Sequence, residues 1–308
     1  MRDSAIDKLT ELAATDPRIF LITGDLGFGV LTDFAGQFPD QFLNAGVAEQ
    51  NMTSVAAGIA LEGRIVFTYS IGNFPTLRCL EQLRNDACYH NANVNVIAVG
   101  GGFSYGPLGM SHHATEDIAI LRALPNMSVM VPSEPWQVAN FIDVAAARPG
   151  PCYLRLDKSS GGTGLSDGED WVFGKARTVR DGTALTLVTA GGILSEVVAA
   201  ADALVKKGVH CRVLDVHTIK PLDTESLDRA AVETGGIITV EEHSVIGGLG
   251  AAVAEACLES SHRPALFRRI GLNDVYSEIV GSQDFLRNRY QMDAAAIEKV
   301  ALSALSPG

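Results

Sequence analysis

The sequence predicts two α/β domains, a larger doubly wound domain with a mostly parallel sheet and a smaller one after it. Short apolar runs alternate with segments that carry apolar residues at helical spacing, which is the order of strands joined by crossover helices. A polar, glycine-rich stretch at 158–168 separates the two halves. We therefore place the first domain at 1–160, a linker at 161–182 and the second domain at 183–308.

The first half begins with a helix and continues as alternating strands and helices. Ile6, Leu9 and Leu12 recur at helical spacing, so we expect a helix over Arg2 to Ala14. The run Ile19 to Thr23 is apolar almost throughout and ends in glycines, as expected of a parallel strand that is buried on both faces. Further strands are predicted at 42–43, 64–69, 94–99, 128–131 and 152–156, with helices at 47–61, 76–89, 116–123 and 134–147.

The second half repeats this alternation on a smaller scale. Strands are predicted at 184–189, 211–216, 236–241 and 265–269, and helices at 194–207, 224–233 and 248–260. The glycines of Gly247 to Gly250 match a dinucleotide-binding loop only incompletely, so close packing of a helix explains them better.

Composition and charge exclude several classes of function. The chain has 24 Lys and Arg against 36 Asp and Glu, a net charge of −12, and no basic run, so we expect neither a nucleic-acid partner nor a membrane patch. Its five cysteines include no CxxC pair, and no stretch has the length of a membrane span. The first residues lack the apolar core of a signal peptide. A cytoplasmic location is expected.

Glu49 begins a predicted helix that is rich in small residues. Its side chain points about 100° away from the apolar stripe of that helix. The face that it shares continues through Thr53, Ala56 and Ala60, which are small enough to permit the close approach of another backbone. Two interpretations remain open: a first-turn glutamate favoured by the helix dipole, or a buried acid that meets a partner.

Two adjacent histidines, His112 and His113, lie in the long glycine-rich loop at 100–113. Histidine can act as an acid, a base or a hydrogen-bond donor near neutral pH. The alternative is a polar capping loop, with Ser111 as the N-cap of the following helix. The pair has no further ligand at metal-binding spacing, so we assign no metal ligands to this chain.

Further candidates lie at the carboxyl ends of strands, where α/β sheets bind ligands. Asp25 follows the first strand. Tyr69 and Phe74 bracket the loop after the third strand and could stack on a flat heterocycle or belong to the core or a lid. Arg155 could pair with Asp157 or another acid, or hold a substrate phosphate through its planar guanidinium group.

Together these motifs resemble the transketolase family of thiamine-diphosphate enzymes. The resemblance rests on Gly46 to Met52, the His112 loop, the Leu154-Arg155 strand, and the segments Thr218 to Asp223 and Thr239 to His243. It covers nearly the whole chain but only the family's pyrimidine-binding and C-terminal domains. The sequence has no Gly-Asp-Gly, the motif with which the family's diphosphate-binding domain holds a metal. The resemblance therefore implies the C-terminal subunit of a split transketolase, active only with a separate N-terminal subunit.

The resemblance also implies how the cofactor is bound. Glu49 would hydrogen-bond the N1′ atom of the aminopyrimidine ring of thiamine diphosphate, and Asp25 would lie near the positive thiazolium ring. Tyr69 or Phe74 would stack on the pyrimidine. Mg²⁺ or Ca²⁺ would be held mainly by the partner chain, and the assembly would be an α2β2 heterotetramer.

The substrate roles follow in the same way. His112 would contact an oxygen of a sugar or sugar phosphate, with His113 as an adjacent candidate, and Arg155 would bind the phosphate. Typical transketolases read Asp-Gly-Pro-Thr-His where this chain has Leu108 to His112. Because leucine cannot accept a hydrogen bond from a sugar hydroxyl, we expect a specialised, modified or deoxygenated sugar.

The activity implied is transfer of a two-carbon ketol unit from a ketose to an aldehyde. One alternative is the β chain of a 2-oxoacid dehydrogenase E1 component, which has the same two domains and passes an acyl group to a lipoyl domain. A second alternative is a non-catalytic partner subunit.

Overall fold

Two sheets organise the chain in a computed structural model that describes residues 1–158 and 171–306. The strands are β1 (Ile19–Thr23), β2 (Phe42–Asn44), β3 (Ile65–Ile71), β4 (Val94–Val99), β5 (Ser128–Met130), β6 (Cys152–Leu156), β7 (Arg177–Arg180), β8 (Thr186–Thr189), β9 (Arg212–Asp215), β10 (Thr218–Lys220), β11 (Ile237–Ser244) and β12 (Phe267–Leu272). The larger sheet has the order β10-β5-β6-β4-β3-β1-β2 and the smaller one β12-β11-β8-β9-β7. All pairings are parallel except β10 with β5 and β7 with β9. The predicted pair of α/β domains is confirmed.

Helices cover both faces of the larger sheet. The α-helices are α1 (Arg2–Thr15), α2 (Thr32–Gln37), α3 (Glu49–Leu61), α4 (Leu80–Gln82), α5 (Asp117–Arg122), α6 (Pro135–Ala147), α7 (Leu194–Val205), α8 (Thr224–Glu233), α9 (Leu249–Glu259), α10 (Gln283–Arg289) and α11 (Ala294–Leu305). Leu21 and Ile22 are adjacent in β1 and belong to the cores on opposite faces. One face packs against α1 and α6, and the other against α3. This two-sided burial is why the strands read as continuous apolar runs.

The two domains share a strand. After β9 the chain crosses to the larger sheet, adds β10 to its edge beside β5, and then returns to the smaller domain. We did not predict β10, because three residues are too few to show a period. Strand β7 was also missed, and it lies inside the segment predicted as a linker at 161–182. Residues 161–170 of that segment lie outside the described residues.

The segment after β3 differs from the regular helix predicted over 76–89. It forms the three-residue α4 and then a π-helical turn at Leu83–Cys88. The residues before α4 form a loop with irregular backbone hydrogen bonds. The N–H of Arg78 donates to the carbonyl of Asn73, and the N–H of Cys79 donates to the carbonyl of Thr76. Such π-helical turns are frequent at functional sites.

Two further observations concern the cysteines and the helices. All five cysteines are buried and unpaired. No helix in the described part of the chain has both the length and the apolar character that crossing a bilayer requires.

The connection between β9 and β10 buries a histidine whose ionisation should affect stability. The His217 ring stacks on Trp171, with ring centroids 5.3 Å apart, and meets Phe141 edge-on. Burial lowers the pKa of His217 to about 4, whereas an unfolded histidine titrates at its ordinary value of 6.5. As the pH falls between these values the unfolded chain takes up a proton that the folded chain does not, so stability is lost.

We therefore predict that His217→Gln makes stability less sensitive to acid. The difference in unfolding free energy between the wild type and this variant should shrink by about 2 kcal/mol between pH 7 and pH 4.5, measured by urea unfolding. The matched control is His210→Gln, because His210 is exposed. A difference that stays constant with pH for both variants would contradict the prediction.

Candidate functional site

A buried carboxylate lies at the carboxyl edge of the larger sheet. Glu49 is the first residue of α3, and its side chain is only 2% exposed. Its Oε2 atom lies 2.9 Å from Nη1 of Arg78. A Cβ atom at Gly24, at the end of β1, would lie 3.2 Å from Cγ of Glu49, so the glycine makes room for this side chain. Of the two interpretations left open above, the geometry favours the buried acid.

Asp25 follows Gly24 in the chain and is held in an unusual conformation. Its φ angle is 60°, in the left-handed region that few residues other than glycine adopt. The Asn44 side chain at the end of β2 stabilises it, because Oδ1 of Asn44 accepts from the Asp25 N–H and its Nδ2 donates to Oδ1 of Asp25, at 3.0 and 2.9 Å. Asn44 was not among the predicted site residues, although it directly follows a predicted strand.

Burial separates the two aromatic candidates. Tyr69 is buried in the core, where desolvation raises the pKa of its hydroxyl to about 12. Phe74 is only partly buried, and its ring meets the His112 ring edge-on with centroids 5.3 Å apart. Of the two rings, Phe74 is the more exposed, and which ring stacks on a ligand stays a prediction.

The two histidines have different environments. His112 lies on a short 3₁₀ turn, Met110–His112, with its Nδ1 atom 3.1 Å from Oγ of Ser111. His113 is buried, its Nε2 lies 3.3 Å from the carbonyl of Gly106, and desolvation lowers its pKa. The expectation that Ser111 caps the next helix is wrong, because α5 begins at Asp117 and its cap residue is Glu116. His112 faces Phe74, whereas His113 supports the loop.

Arg155, to which the resemblance gives a phosphate-binding role, lies in a buried network of polar groups. Its side chain is 4% exposed, and its Nε donates to Oδ2 of Asp117 at 2.8 Å. Its Nη2 donates to the carbonyls of Ala114 and Glu242 at 2.9 and 3.0 Å. A buried guanidinium with these partners acts as a structural group within this chain, and its role in binding a phosphate stays a prediction. The acid that it pairs with is Asp117 and not Asp157, a partner that sequence spacing did not indicate.

A polar network ties the His112 loop to the smaller domain. The Glu242 carboxylate at β11 accepts from the backbone N–H of Phe103 and from the side chains of Gln283 and Arg287. On the other side, the Ser104 hydroxyl donates to Asp157 at 3.1 Å. The loop that carries His112 is thus held by both domains.

Two family models match the chain and together cover most of it. The model described as "Transketolase, pyrimidine binding domain" matches residues 1–163, and the model described as "Transketolase, C-terminal domain" matches residues 174–297. Their boundary falls between β6 and β7, where the chain passes from one sheet to the other.

Individual proteins are similar over almost the full length. An apulose-4-phosphate transketolase subunit from Phocaeicola vulgatus is 39% identical, over 98% of this chain and 96% of that protein. The 6-deoxy-6-sulfo-D-fructose transketolase subunit SqwH of a Clostridium species is 35% identical, over 98% of this chain and 93% of that protein. A solved structure described as a split gene transketolase, inactive β4 tetramer, has a TM-score of 0.90 and 36% identity, and the match covers 99% of this chain and 97% of that one.

The buried pair of Arg155 and Asp117 leads to a prediction about stability. Arg155→Met should lower the free energy of unfolding by about 3–5 kcal/mol, because it leaves the Asp117 carboxylate buried without its cation. Arg180→Met is the control, since the ion pair of Arg180 with Asp202 is partly exposed and should contribute at most about 1 kcal/mol. Chemical unfolding measures both. An Arg155→Met protein with unchanged stability, and with a raised KM for phosphorylated sugars alone, would contradict this prediction and support a phosphate-binding role for Arg155.

Proposed function

The chain belongs to the transketolase family, and we propose that it is the C-terminal subunit of a two-chain transketolase that transfers a ketol unit between sugars. The observation that carries this proposal is the buried Glu49 carboxylate at a sheet edge, which packs against Gly24 and pairs with Arg78, a residue that also contacts Phe74. The family model that matches residues 1–163 is described as the pyrimidine-binding domain, which supports a role at the pyrimidine end of the cofactor. Relatives of matching length are named as subunits, which supports a separate partner chain.

The residues at this edge fit the pyrimidine end of thiamine diphosphate. When bound, thiamine diphosphate supplies a carbanion at C2 of its thiazolium ring. Glu49 would hydrogen-bond N1′ of the pyrimidine through its carboxyl group, and Phe74 would stack on the ring. The low dielectric of the buried site strengthens that hydrogen bond. Asp25 would lie near the positive thiazolium ring.

The metal ion would be bound mainly by the partner chain. Mg²⁺ or Ca²⁺ bridging the diphosphate needs several oxygen ligands. Within 1–158 and 171–306, no group of three or more His, Cys, Asp or Glu side chains is arranged to hold an ion.

Exposed apolar side chains support a partner at this edge. Phe28, close in sequence to Asp25, is 83% exposed, and Val47, just before Glu49, is 77% exposed. Leu108 and Met110 of the His112 loop are also exposed. Large apolar groups left in water on neighbouring loops mark interaction surfaces. A separate N-terminal subunit would cover them, in an α2β2 assembly.

We propose that the substrate is a specialised sugar or sugar phosphate, with His112 contacting one of its oxygens. The two relatives are named for apulose-4-phosphate and for 6-deoxy-6-sulfo-D-fructose. Leu108 fits such a substrate, because its exposed apolar side chain cannot bind a hydroxyl as the usual aspartate would. Neither relative is named as a 2-oxoacid dehydrogenase component or as a non-catalytic subunit.

Replacing the buried carboxyl tests the proposed function. In the complex of this chain with its partner, Glu49→Gln should lower kcat for ketol transfer by about 10²-fold or more, because an amide cannot exchange the proton at N1′. Glu62→Gln is the matched control, since Glu62 follows the same helix and is exposed. The assay follows product sugars in the presence of thiamine diphosphate and Mg²⁺.

The substrates in that assay separate the alternatives. The donor panel is apulose 4-phosphate, 6-deoxy-6-sulfo-D-fructose and fructose 6-phosphate, together with pyruvate plus lipoamide. We expect transfer from a ketose and a preference for a modified one. Activity with pyruvate and lipoamide alone would identify an E1 component instead, and near-normal ketol transfer by Glu49→Gln would show that the role of Glu49 is wrong.

A further inference from the structure

One cation contacts two of the candidate site residues. Nη1 of Arg78 lies 2.9 Å from Oε2 of Glu49, and its Cζ atom lies 4.6 Å from the centroid of the Phe74 ring. The centroid of the His112 ring also lies 5.3 Å from that of Phe74. Arg78 therefore contacts both the acid and the aromatic ring that the proposed function assigns to the pyrimidine.

The contact with Glu49 is asymmetric in both burial and geometry. Glu49 is 2% exposed, whereas Arg78 is 48% exposed and reaches the carboxylate from the open edge. Only Oε2 is engaged, and no described residue donates a hydrogen bond to Oε1. A buried carboxylate interacts strongly with a single cation because little water screens the pair. Arg78 thus fixes one oxygen of Glu49 and leaves the other for a ligand.

Hydrogen bonds anchor the loop around Arg78 and so fix the position from which its side chain extends. The Thr76 hydroxyl donates to the carbonyl of Gly72 at 2.7 Å, and the Cys79 thiol donates to that of Phe74 at 3.1 Å. Arg78 precedes α4 and the π-helical turn that replaces the expected regular helix. Because these bonds hold Phe74 and Arg78 on one short loop, the two side chains act as a unit.

We propose that Arg78 is a positioning residue for ketol transfer, which rests on the proposed function. It orients the Glu49 carboxyl through Oε2 and stacks on Phe74, so that Oε1 and the aromatic face are presented together to the cofactor's pyrimidine. A planar guanidinium can donate to the carboxylate and stack on the ring at the same time, whereas a lysine ammonium is a compact charge with no planar face to stack. The role is in cofactor binding and orientation rather than in contact with the sugar.

The experiment uses the complex of this chain with its partner and compares Arg78→Ala, Arg78→Lys and Arg78→Met. Arg84→Ala is the control, because Arg84 is exposed in the same segment and its side chain bonds the adjacent Asn85. For each complex we would measure the half-saturating concentration of thiamine diphosphate, kcat at saturating cofactor, KM for the ketose donor, and the melting temperature.

Arg78→Ala should raise the half-saturating cofactor concentration about tenfold and lower kcat by a similar factor, with a much smaller change in donor KM. Arg78→Lys should recover part of the cofactor affinity. Combined with Glu49→Gln, Arg78→Ala should cost little more than Glu49→Gln alone, because both act through one group. If Arg78→Ala is unstable, Arg78→Met carries the test, since its apolar stem preserves packing on Phe74.

Two outcomes would overturn the proposal. One is an Arg78→Ala complex whose cofactor half-saturation and kcat match those of Arg84→Ala. The other is a loss that appears only in donor KM or only in melting temperature. Failure of the proposed function has a different signature, because the wild-type complex would then transfer no ketol group from any ketose in the panel.

Discussion

The buried ion pair of Arg155 and Asp117 is the constraint on which the site depends. Taking two charges out of water costs several kcal/mol per ion, and their mutual attraction and hydrogen bonds to other buried groups offset that cost. The chain supplies these contacts by bringing together strand β6, helix α5, the carbonyl of Ala114 and the carbonyl of Glu242. These groups come from both domains. The pair therefore sets where the smaller domain docks and where the loop before α5 runs.

The position of His112 follows from that loop. The Glu242 carboxylate and the Ser104 hydroxyl hold its first part, and the buried His113 holds its end. His112 then faces Phe74, and Phe74 contacts Arg78. The interior beneath the site is buried, whereas its outer edge exposes Phe28 and Val47. A buried floor with an exposed apolar rim is the form expected of half a binding site.

The fold could be predicted from sequence where local pattern and burial agree. Strand β4 has the predicted limits, because a strand covered on both faces is apolar at every position. Strand β10 could not be predicted, since its pairing with β5 depends on residues far away in the chain. The π-helical turn after α4 was missed for a related reason: its backbone bonds respond to packing and not to periodicity.

The candidate site was predicted unevenly. Glu49 and His112 stood out because their residue types and neighbours are unusual at those positions. Arg155 is at a strand end, as a ligand-binding residue would be, but its partner lies 38 residues earlier and its burial leaves no signature in sequence. The same limit applies to Tyr69 and Phe74, which only their burial distinguishes. Long-range pairing and burial are the quantities that a sequence pattern does not contain.

If two chains share one cofactor site, a calorimetric titration with the cofactor will show it. Thiamine diphosphate with Mg²⁺ would be titrated into this chain alone, the partner chain alone and their equimolar mixture. We expect saturable binding of the cofactor by the mixture and no binding by this chain alone. Binding of equal affinity to this chain alone would contradict it.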